Sequence, residues 1–72
     1  MPDHKTALKE HAEQGTIGAP TYETKRVGGV DHRPAFVSTV RLPDGSEATG
    51  CGRSKKEAEQ DAAATLMKNK GL

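Results

Sequence analysis

Aromatics, cysteine and long apolar runs are all scarce in this chain. It has no Trp, one Phe and one Tyr among 72 residues. Two aromatics on separate strand candidates do not make the stacking platform on which single-stranded nucleic acids are bound. The single Cys51 excludes an intramolecular disulfide framework and fits a reducing, intracellular compartment, taken here as the cytoplasm. No apolar stretch approaches a membrane span and no signal-peptide pattern is present, which argues against secretion and membrane insertion. Cys51, His4, His11 and His32 show no recognised ligand spacing, so no metal, no other cofactor and no small-molecule ligand is expected. Cys51 has no His or acid arranged around it in sequence and reads as a small strand residue, not a nucleophile. With 32% hydrophobic residues the core must be small. One domain over residues 1–72 is expected, its folded part about 3–70, with a stability of a few kcal/mol.

A strong charge of either sign is also missing, because the net charge is +1. That balance is uneven along the chain. Residues 1–24 carry −2, residues 25–56 carry +4 and residues 57–72 carry −1. A basic middle with mildly acidic ends is compatible with a polyanion on one face. It falls well short of the balance of a non-specific nucleic-acid binder.

What is present is a clear order of elements. Asp3 is a plausible N-cap for a helix over residues 5–14, stopped by Gly15. Its apolar stripe is thin: Leu8, with Ala7, His11 and Ala12 around it. Residues 21–27 read as a strand with Tyr22 as the large inward residue, followed by a Gly-rich loop closed by Pro34. Residues 35–42 are the strongest strand. Phe36, Val40 and Leu42 recur at period two, with Ser38 as a polar interruption, and Tyr22 and Phe36 are both assigned to the core. Pro43-Asp44-Gly45 is a turn leading to a third strand over 46–51. A last helix is predicted over 55–69, with Ala58, Ala62, Ala63, Leu66 and Met67 on one face. The fold class is α+β: an α-β-β-β-α order, a three-stranded antiparallel sheet with two helices packed on one face.

The start of that last helix carries the chemistry. Ser54 is a good N-cap, and Glu57 three residues later completes a capping box. Arg53, Lys55 and Lys56 then crowd the helix end that already attracts anions through its free N–H groups. Cations are mildly unfavourable there, so the arrangement reads as a phosphate site. The competing reading is a solvated charge cluster.

The element order, together with Asp3-His4-Lys5-Thr6-Ala7-Leu8-Lys9-Glu10, Pro20-Thr21-Tyr22, Gly29-Val30-Asp31-His32, Pro34 with Phe36, and the run from Gly50 to Gln60 followed by Ala62-Ala63, resembles a double-stranded RNA-binding domain. The likeness spans Asp3 to about Met67 and is nearest to the domain that ends bacterial ribonuclease III. It implies recognition of A-form RNA by shape, largely independent of sequence, along about 16 base pairs. Thr6, Lys9 and Glu10 would enter one minor groove. His32 and its loop would enter the next, and Lys55 and Lys56, helped by Arg53, would bridge the phosphates between them. Lys9 stands where the family often has Gln, and a phosphate contact could replace a base-edge contact there. Val30 stands where Pro is frequent, and Glu59 where many members carry a third basic residue. Without the resemblance, Thr6 and Glu10 are ordinary exposed helix residues, and His32 an ordinary loop histidine.

The deep A-form major groove suits long cations on its rims, while 2′-hydroxyls suit Thr6, Glu10 and His32. The paired carboxylates of a ribonuclease III catalytic domain are not in the sequence, so a binding domain and not an enzyme is expected. The expected partner is double-stranded RNA, within a ribonuclease III-type processing protein. The alternative is a protein-interaction module of the same fold, pairing with a partner or a second copy through a helix or a sheet edge.

Overall fold

The computed structural model describes residues 3–15, 18–28 and 35–72. Five elements follow in order: α1 (His4–Glu13), β1 (Thr21–Arg26), β2 (Phe36–Arg41), β3 (Glu47–Gly52) and α2 (Lys55–Lys70). Each lies within two residues of its predicted bounds. The sheet is antiparallel in the order β1-β2-β3. Among the described residues no helix is long and apolar enough to cross a membrane.

Local signals explain where the elements begin and end. Asp3 caps α1, its Oδ1 accepting from Thr6 N–H at 3.0 Å. The β2–β3 turn closes through Gly45 N–H donating to the Leu42 carbonyl, with Asp44 Oδ1 accepting from Ser46 N–H at 2.8 Å. Lys70, at the far end of α2, donates to Asp44 Oδ2 at 2.6 Å and to Ser46 Oγ at 3.0 Å, fastening the turn to the helix.

Register fixes which side chains face the helices. Tyr22 pairs with Val40 and Val40 with Ala48; Thr24 pairs with Ser38 and Ser38 with Gly50. These two rows lie under α2, and the buried cluster is Leu8, Val40, Leu42, Ala48, Ala62, Ala63 and Leu66, with Tyr22 and Met67 packed against it. Burial of a Leu side chain such as Leu8 or Leu66 stabilises by about 1.5–3 kcal/mol. Phe36, assigned to the core from sequence, is only half-buried and lies outside this cluster. It sits in the last row of the sheet, between Arg26 and Gly52.

The glycines of β3 determine how close α2 comes. A Cβ on Gly50 would overlap the Ala62 backbone, meeting Ala62 Cα at 2.7 Å; one on Gly52 would lie 2.6 Å from Glu57 Cβ and 2.8 Å from Ala58 N. Small residues on both surfaces bring helix and strand into backbone contact. Ser38, opposite Gly50, is fully buried under this contact. Its hydroxyl is 2.8 Å from Thr24 Oγ1, which is 2.9 Å from Glu59 Oε2. A carboxylate only accepts, so Thr24 donates to Glu59 and Ser38 donates to Thr24. The polar interruption in β2 is thereby satisfied.

Candidate nucleic-acid interface

α2 begins as the sequence predicts, but with half of the box. Ser54 is extended (φ −139°, ψ 163°) and its Oγ accepts from Glu57 N–H at 3.1 Å. Among the described residues the Glu57 carboxylate makes no return bond to Ser54. The Glu57 side chain is exposed, and its stem packs against Gly52. Arg53, Lys55 and Lys56 are all exposed, and none joins an ion pair among the described residues.

Lys55 and Lys56 are about 100° apart around the helix, so they serve different neighbours. The charge of Lys56 is felt at Asp3, and that of Lys55 at Glu59. Lys56 also lines an open groove of about 610 Å³ between α2 and α1. Thr6 and Lys9 stand on its opposite wall, with Pro20 and Tyr22 among the apolar residues between them. Three sequence-predicted residues thus come together from segments about fifty residues apart. Glu10 is exposed on α1, one turn beyond Thr6 and outside the groove lining. Lys9 lies 4.0 Å from Glu13, a loose exposed pair that leaves its ammonium accessible. His32, Val30 and Arg33 lie outside the described residues.

The contacts of Lys5, Glu59 and Gln60 are not foreshadowed in the sequence. Lys5 forms an ion pair with Glu59 and lies 4.9 Å from the centre of the Tyr22 ring. The Lys5 hydrogen bond, followed by that from Thr24, holds the Glu59 carboxyl below the usual carboxylate range. Gln60 reaches across to α1, accepting from His4 N–H at 2.6 Å and donating to Asp3 Oδ1 at 2.7 Å. That bond and the one from Thr6 N–H bring Asp3 down to about 2. Burial, then the nearby charge of Glu59, pushes the Tyr22 hydroxyl up to about 12. Its oxygen is buried with no hydrogen-bond partner among the described residues. No sequence periodicity marks the Lys5–Glu59, Gln60–His4 and Gln60–Asp3 contacts, because each joins residues more than fifty positions apart.

The outward rows of the sheet behave differently. Arg41 there donates to Glu47 at 2.7 Å and lies 3.9 Å from Glu23. The exposed cations free to meet a polyanion therefore include the three that open α2, of which Lys56 shares a groove with Thr6 and Lys9 of α1. Among the described residues no group of His, Cys, Asp or Glu is arranged to hold a metal ion.

Residues 4–70 match the family described as the double-stranded RNA binding motif. The chain belongs to that family. Ribonuclease 3 of Mesorhizobium japonicum is 46% identical over 70 residues, a stretch covering 97% of this chain and 32% of that protein. Ribonuclease 3 of Leptospira interrogans is 45% identical over 64 residues, covering 89% of this chain and 26% of the relative. The chain thus spans about a third or less of these relatives. Among solved structures, one of Arabidopsis HYL1, described for its implications for miRNA processing, is similar at TM-score 0.72 and 28% identity, covering 96% of each chain. The solution structure of the second dsRBD of DRB4 is similar at TM-score 0.68 and 32% identity, covering 94% of each. The chain is a double-stranded RNA-binding module.

Proposed function

We propose that residues 1–72 act as one unit that grips A-form RNA by shape and serves as the substrate-binding module of a ribonuclease III-type processing enzyme in the cytoplasm. Lys55 and Lys56, helped by Arg53, contact phosphates on the two rims of the major groove. Thr6, Lys9 and Glu10 enter one flanking minor groove, and His32 with its loop enters the next. The observation that carries this reading is the convergence of Thr6, Lys9 and Lys56 on one groove beside an exposed, cation-rich helix N-terminus. Long cations suit the rims of the A-form major groove, while a hydroxyl and a carboxylate suit 2′-hydroxyls. A carboxylate at Glu10 would be repelled by phosphate alone, so its place beside Lys9 favours a minor-groove contact that offers a donor. The relatives that are ribonucleases supply the setting, and the single cysteine is in keeping with a reducing compartment.

The test is a titration against an RNA duplex of about 20 base pairs, the same sequence as duplex DNA, and single-stranded RNA, at two salt concentrations. The expected result is a clear preference for duplex RNA that weakens as salt rises. Equal binding to all three, or none at low salt, would overturn the reading and leave a protein partner or a second copy as the occupant of this face.

A further inference from the structure

The first turn of α1 is held by two adjacent residues of α2. Gln60 Oε1 accepts from both His4 N–H and Lys5 N–H, at 2.6 and 3.2 Å, while Gln60 Nε2 donates to Asp3 Oδ1 at 2.7 Å. Backbone donors that a helix start leaves unpaired are thus satisfied by a side chain from another element. Next to it, Glu59 pairs with Lys5 and accepts from Thr24 of β1. Apart from this clamp, α1 has one buried residue, Leu8, and among the described residues its backbone packs on α2 and on no strand. A single buried side chain acts as a pivot. It sets how near the helices lie, with Ala7, His11 and Ala12 half-buried along the same helix. The clamp adds a hydrogen-bonded attachment at the helix start, and so bears on the direction in which α1 runs.

That direction matters because the interface is split between the two helices. Thr6, Lys9 and Glu10 ride on α1; Lys55 and Lys56 lie one turn before the clamp on α2. We propose that Glu59 and Gln60 are positioning residues for duplex RNA: acting through α1, they set its angle so that its side chains reach a minor groove while the lysines of α2 reach phosphates. The inference rests on the reading of the interface given above. Glu59 stands within the cationic start of α2, and its carboxylate is taken up by Lys5 and Thr24, so its role there is to orient α1.

Duplex length separates positioning from mere stability. Wild type, Gln60→Leu and Glu59→Gln are titrated with RNA duplexes of about 8 and about 20 base pairs, the longer exceeding the roughly 16 base pairs of a full contact. Circular dichroism melts check that each variant is folded. Gln60→Leu is expected to bind the short duplex within about twofold of wild type and to lose about tenfold on the long one, the size of one or two missing hydrogen bonds. Equal loss on both lengths, or no loss on the long one, would overturn the proposal. Should Gln60→Leu not fold, Glu59→Gln keeps the side-chain volume and is read by the ratio of its long- to short-duplex affinity, because the lost negative charge acts on both lengths. A wild type that does not prefer duplex RNA over duplex DNA would instead overturn the functional reading.

Discussion

Lys55 and Lys56 are neighbours in sequence that do separate work. The charge of Lys55 is felt at Glu59 and that of Lys56 at Asp3, and Lys56 lines the α1 groove. Neither is paired with a carboxylate among the described residues, so both are free to displace counterions from RNA. Lys55→Ala with Lys56→Ala is therefore expected to weaken binding to every duplex RNA and to flatten the salt dependence by up to about two units of slope. Affinity measured against salt concentration checks this, and an unchanged slope would show that these lysines do not meet phosphate. Lys5, equally cationic, belongs to the architecture, since its ammonium is taken up by Glu59 and stands over the Tyr22 ring. A lysine's sequence position alone did not distinguish these roles.

The contact between α2 and β3 depends on what is missing from it. Ala58 and Ala62 are fully buried, and opposite them Gly52 and Gly50 have no Cβ to hold the elements apart. Glycine in a strand normally weakens it, so replacement by alanine would ordinarily help. Here the added methyl meets the Ala62 backbone and not a flexible side chain. Gly50→Ala is expected to destabilise the domain by about 1–3 kcal/mol or more, the range for overpacking a close contact. Urea denaturation would report it. A variant as stable as wild type would mean that α2 lies farther from the sheet than described.

Two carboxylates tie distant parts of the molecule together, and both are depressed to about 2. Asp3 is held by Gln60 and then by Thr6; Asp44 is held by Lys70 and then by Ser46. An Asp in the unfolded chain titrates near 3.9. A carboxyl whose folded value lies below its unfolded value contributes stability above the unfolded value, and that contribution disappears as pH falls through the folded one. The melting temperature is thus expected to hold down to about pH 4 and to fall between about pH 4 and 2. Glu59, lowered by Lys5 and Thr24, adds to the same trend. Asp3→Asn with Asp44→Asn should shallow this acid limb. Melting temperatures that stay level from pH 4 to 2 would show that these contacts do not stabilise the fold.

The five elements were legible because each carries its own local signal. Asp3 and Ser54 cap, Pro43-Asp44-Gly45 turns, Val40 and Leu42 alternate, and Ala58, Ala62 and Leu66 share a helix face. Of the candidate site, the cations that open α2 were legible for the same reason: a helix start and its charges lie within a few residues. Thr6 and Glu10 came from family resemblance, since exposure and helical spacing do not set them apart from other surface residues. Only the tertiary structure decided that Gln60 caps α1, that Glu59 takes up Lys5, that Ser38 is satisfied by Thr24, and that Phe36 stays out of the buried cluster. Hydrogen-bond partners more than fifty residues apart leave no periodicity in the sequence. They are fixed once the close approach of α2 to β3, set by Gly50 and Gly52, has brought the elements together.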